Sequence, residues 1–166
     1  MATDAARGVA YLHGKGCIHC DLAARNCLVD EDGTIKISDF GMSRITEEGE
    51  DIYSVNTTAK VIPIKWAAPE VLTDMEYTLS TDIWSYGILM WEMFSGGQMP
   101  YSGMSNAETR EAVVKKGFRM PPPHKAPREI QQLMVECWAT EPEDRPTMAD
   151  IVDYLQEVQA QYPEKR

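Results

Sequence analysis

Two carboxylates and an amide stand close together between Ile18 and Gly41, in the run I-H-C-D-L-A-A-R-N-C-L-V followed, after a short turn, by K-I-S-D-F-G. Asp21 sits in a polar loop closed by Arg25 and Asn26. Cys27-Leu28-Val29 and Thr34-Ile35-Lys36-Ile37 read as the two strands of a hairpin, turned by Asp30-Glu31-Asp32-Gly33. Asp39 leaves the second strand directly before Phe40-Gly41. One hairpin thus carries an acid, an amide oxygen and a second acid to the same end. Hard oxygens of that kind bind divalent cations, and one carboxylate remains to act as a base. The blander alternative is an acid-tipped surface hairpin, and the rest of the chain weighs against it.

The elements that must hold this loop are mostly helical. Thr3 to His13 reads as a helix with Ala6, Val9, Ala10 and Leu12 on one face, ended by Gly14 and Gly16. Ser80 to Ser95 is apolar nearly all round, from Ile83 and Trp84 to Met93 and Phe94, so it is the buried hub of the fold. Ser80 or Thr81 caps it, and Asp82 in its first turn is favoured by the helix dipole. Ser105 to Lys116, Pro127 to Trp138 and Thr147 to Gln161 are three further amphipathic helices. Pro121-Pro122-Pro123 is a rigid connector between two of them. Arg44 to Lys60 is polar and too irregular for strand or helix, and reads as a mobile loop. It carries Tyr53 behind Glu47, Glu48, Glu50 and Asp51, a candidate phosphorylation site.

Composition bounds the class. At 166 residues, 43% hydrophobic and 25% charged, the chain is an ordinary globular domain with a core. A net charge of −10 argues against nucleic acid or an anionic membrane as main partner. No apolar run is long enough to span a bilayer, and no signal peptide precedes the first helix. Cys17-x-x-Cys20, with His19 and Cys27 nearby, raises zinc as an alternative. No second C-x-x-C exists, and the cysteines suit small apolar strand positions in a reducing, cytoplasmic setting. Asn56-Thr57-Thr58 matches a glycosylation acceptor, which means nothing without a secretory signal.

The loop I-H-C-D-L-A-A-R-N, then D-F-G, then Ala68-Pro69-Glu70, resembles the signature set of protein kinases in the correct order. The whole chain, residues 1–166, resembles the C-terminal lobe of a protein tyrosine kinase, leaning toward the cytoplasmic Fes/Fer type. The resemblance implies a mainly α lobe, with helices around a buried central helix and a short catalytic hairpin. It implies that Asp21 accepts the substrate hydroxyl proton, and that Asn26 and Asp39 hold Mg2+ on ATP. Pro63-Ile64-Lys65-Trp66 matches the shelf that seats a tyrosine-bearing protein substrate. Ala23 stands where serine/threonine kinases usually have lysine, and Arg25 where tyrosine kinases often supply the charge. Asp82 is expected to bond the loop backbone near His19, and Arg145 to pair with Glu70.

Two departures shape the functional expectation. No G-x-G-x-x-G and no V-A-I-K lysine occur, so the N-terminal β lobe is absent from this sequence and would be the lobe's missing partner. These residues alone are therefore expected to have little kinase activity, the alternative being an inactive lobe that engages substrates or partners. Cys20 also stands where most kinases have arginine, which leaves Arg44 as the remaining partner for a phosphorylated Tyr53.

Overall fold

The structure is a computed structural model that describes residues 1–46, 53–54 and 61–162, the pair 53–54 by its backbone. Among these residues the helices are α1 (Ala2–Gly14), α2 (Pro69–Asp74), α3 (Leu79–Phe94), α4 (Asn106–Lys115), α5 (Arg128–Cys137) and α6 (Met148–Gln161). The strands are β1 (Cys17–Ile18), β2 (Cys27–Val29), β3 (Ile35–Ile37), β4 (Arg44–Ile45), β5 (Tyr53–Ser54) and β6 (Glu76–Tyr77). The strands form three separate antiparallel pairs, β1 with β4, β2 with β3 and β5 with β6. The lobe is mainly α, built around one buried helix, as expected.

That helix is α3. Every residue from Thr81 to Glu92 is buried, because its apolar side chains leave no face for water. Trp84, Ile88, Leu89 and Met90 are completely enclosed, with Met134 of α5 and Ile151 of α6 in the same core. α3 meets α5 at Gly87, where a Cβ would lie 2.6 Å from Trp138 Nε1 and 2.8 Å from Cys137 Cβ. Glycine is what lets the two helices approach so closely. Tyr86 reaches the other way, donating from its hydroxyl to the Ala2 carbonyl at 2.8 Å. α1 then packs mainly on α6, with Thr3 donating to Gln159 at 3.1 Å.

Several expectations need correction. α3 is capped by Thr78, not Ser80 or Thr81: the Thr78 hydroxyl accepts from Ser80 N–H at 3.1 Å, and Thr81 bonds back to Thr78 N–H at 3.2 Å. On α1 the buried face is Thr3, Ala5, Ala6 and Val9, while Ala10 and Leu12 are only half-buried. The stretch from Arg44 holds two strands that its irregular polar pattern concealed. A two-residue ladder has no periodicity of its own and is fixed by the partner strand's backbone. Arg44–Ile45 pairs with Cys17–Ile18, and Tyr53–Ser54 with Glu76–Tyr77. The glycosylation acceptor, the acidic run before Tyr53 and the Tyr53 side chain lie outside the described residues.

Candidate active site

The hairpin of β2 and β3 forms, with Leu28 opposite Lys36 and Val29 opposite Ile35, so that Thr34, read as the first residue of the second strand, lies in the turn. Its tip is tied by Asp30, whose carboxylate accepts from Asp32 N–H at 3.1 Å and Thr34 N–H at 2.9 Å. Those amides, with Lys36, hold the Asp30 carboxyl below its usual range. At the open end Ser38 donates both its N–H and its hydroxyl to the Asn26 carbonyl, each at 2.8 Å. Asn26 and Asp39 are therefore carried to one end of the hairpin.

Asp21 is positioned by its own loop. Arg25 Nη2 donates to Asp21 Oδ1 at 2.5 Å, and Asn26 Nδ2 donates to Oδ2 at 3.0 Å and to the Asp21 carbonyl at 2.8 Å. Because the Asn26 nitrogen is spent on Asp21, its Oδ1 is the acceptor left to face a cation. Asp39 is exposed, in left-handed backbone at φ 56°, with Oδ1 accepting from Gly41 N–H at 3.3 Å. An amide oxygen and an exposed carboxylate make a hard-oxygen donor set that suits Mg2+. Cys20 is also left-handed, at φ 69°, so strained backbone stands just before Asp21 and again at Asp39.

Beneath the loop lies a polar network. His19 is fully buried: its Nδ1 accepts from Asp21 N–H at 3.1 Å, and its Nε2 donates to the Ser38 carbonyl at 2.9 Å. One ring thus ties the strand before Asp21 to the strand before Asp39, and the Phe40 ring meets it edge-on with centroids 5.4 Å apart. Asp82, at the start of α3, accepts from His19 N–H at 2.8 Å and Cys20 N–H at 3.0 Å, as expected. His13, at the end of α1, adds a third bond to the same carboxylate at 2.9 Å. The spacing of residues gave no signal for His13.

The shelf Pro63 to Trp66 is a single turn of 3-10 helix, Ile64–Trp66, seated over α3. Lys65 donates to the Tyr101 carbonyl at 3.3 Å, and the Trp66 carbonyl accepts from Ser85 at 2.7 Å. The Arg25 guanidinium lies 4.4 Å from the centre of the Trp66 ring, which joins shelf and loop. Glu70 and Arg145 form a two-pronged pair at 2.6 and 3.0 Å. Arg145 also donates to the carbonyls of Ala139 and Ser80, so this buried cation is well satisfied.

The four cysteines are free thiols. Burial, then the Asp82 carboxylate, pushes Cys20 far up, and burial pushes Cys27 up to about 11. The Arg44 guanidinium donates to the Ser43 carbonyl at 2.8 Å.

A loop tied by its backbone to a buried helix, a hairpin with an acid at its open end, and a tethered shelf are the parts of a protein-kinase lobe. A family model for protein tyrosine and serine/threonine kinases matches residues 1–155, and the chain belongs to that family. It is 53% identical to the tyrosine-protein kinase Fer of Rattus norvegicus over 151 residues, 91% of this chain and 18% of that protein. It is 49% identical, over the same share of this chain, to the transforming tyrosine-protein kinase Fps of avian sarcoma virus strain PRCII, covering 28% of it. The mouse tyrosine-protein kinase Srms is 44% identical over 93% of this chain and 30% of its own length. The chain therefore spans less than a third of each of these relatives. Among the described residues no helix is long and apolar enough to cross a membrane.

Proposed function

We propose that residues 1–166 are the catalytic C-terminal lobe of a non-receptor protein-tyrosine kinase, acting on tyrosine hydroxyls of protein substrates in the cytoplasm. The observation that carries this reading is the Asp21–Arg25–Trp66 contact, which couples the acid of the loop to the shelf. Asp21 takes the hydroxyl proton, Arg25 steadies charge beside it, and Asn26 and Asp39 hold magnesium. Bound Mg-ATP would supply the transferable phosphoryl group and neutralise charge on its oxygens. Pro63 to Trp66 hold the peptide back from the loop, as the longer reach of a tyrosine hydroxyl requires.

Phosphoryl transfer depends on positioning and charge. The 166 residues hold no glycine-rich loop and no V-A-I-K lysine. By themselves they are expected to bind Mg-ATP very weakly, which also keeps the second reading open, a lobe that engages peptides without catalysis. Calorimetry separates the two. Under the first reading Mg-ATP binding appears once a glycine-rich lobe is supplied, and Asp39→Asn removes it. A chain that binds tyrosine peptide, but never Mg-ATP with that lobe present, supports the second. Regulation follows from Cys20: a neutral thiol offers no charge to a phosphate on Tyr53, so Tyr53→Phe in an active form should retain most of the rate. Loss of most activity would contradict this.

A further inference from the structure

Glu92 is a buried carboxylate near the C-terminal end of α3, where the helix dipole disfavours negative charge, and its residue is only 8% exposed. Its Oε2 accepts from Ala24 N–H, in the catalytic loop, at 2.9 Å, and from Trp66 Nε1–H, in the shelf, at 3.1 Å. The next residue after Ala24 is Arg25, which lies over the Trp66 ring and binds Asp21. The contacts close a ring, from Asp21 to Arg25 to Trp66 to Glu92 to Ala24 and back along the chain.

We infer that Glu92 is a positioning residue, setting the Trp66 ring under Arg25 and so fixing Arg25 against Asp21. This rests on the tyrosine-kinase reading and adds to it the residue that orients the loop toward the shelf. The Trp66 backbone has its own tether in Ser85, so the specific contribution of Glu92 is the orientation of the ring. Both donors converge on one oxygen, and a glutamine oxygen can take that place. A leucine cannot.

The test uses NMR on the 166-residue chain with neither nucleotide nor peptide, so a failure of catalysis would leave it unaffected. In the wild type the Arg25 side-chain protons, over the Trp66 ring, should carry an upfield ring-current shift. Glu92→Gln should keep that shift and the slow exchange of the Ala24 amide. Glu92→Leu should abolish the shift and speed that exchange about tenfold or more. The His19 and Cys20 amides, held by Asp82, report separately that the lobe is folded. If Glu92→Leu does not fold, Glu92→Ala serves, since it removes the acceptor and leaves the Trp66 indole unaltered; the ring-current shift should then be lost or reduced. An unchanged Arg25 shift in folded Glu92→Leu or Glu92→Ala would overturn the inference, as would loss of the shift in Glu92→Gln.

Discussion

The Asp82 carboxylate serves three donors at once, His13, His19 N–H and Cys20 N–H, and is 1% exposed. Asp82→Ala would leave two buried amides unsatisfied at about 1–3 kcal/mol each. Urea denaturation should show that loss, with the exchange of the His19 and Cys20 amides speeding in parallel. The thiols make a second prediction at this scale. Burial, then the Glu92 carboxylate, raises Cys27 from its ordinary 9.0 to about 11, so the folded state favours the neutral thiol. The stability this contributes is complete below about pH 9 and is lost as pH rises toward 11. Titrated denaturation should show that alkaline fall, and Cys27→Ala should make it shallower.

The elements differ in how far the sequence revealed them. The hairpin was legible because its alternation, its D-E-D-G turn and its flanking acids all agree. α3 was legible because an apolar run with no polar face has only one place to go. Its start was misread because Ser80, Thr81 and Thr78 are all competent caps, and the choice falls to the turn after β6. Strands β4 and β5 were illegible, since pairing partners distant in sequence create them. Glu92 was missed, although a charged residue on an otherwise buried helix demands partners and was the available signal. The packing of α3 on α5 gives a prediction at this scale. Gly87→Ala drives a methyl into Trp138 and Cys137, and should cost about 1–3 kcal/mol by thermal or urea unfolding. An unchanged midpoint would mean that the helices part more easily than their contact implies.

At the scale of the molecule, α3 is a beam to which the catalytic loop is tied twice, by Asp82 before Asp21 and by Glu92 after it. The Glu70–Arg145 pair ties the end of the shelf segment to the loop before α6. Removing either partner strands a charge, so Glu70→Ala or Arg145→Leu should cost about 3–5 kcal/mol in a denaturation series. We propose that this framework presents Asp21 as the base for a tyrosine hydroxyl. The most direct measurement is phosphoryl transfer to a tyrosine peptide by this chain, fused behind the part of rat Fer that precedes its 151 matched residues. Phosphate should appear on tyrosine, with Asp21→Asn slowing transfer by about 10²-fold or more. Transfer to serine or threonine instead, or a rate indifferent to Asp21→Asn, would contradict it.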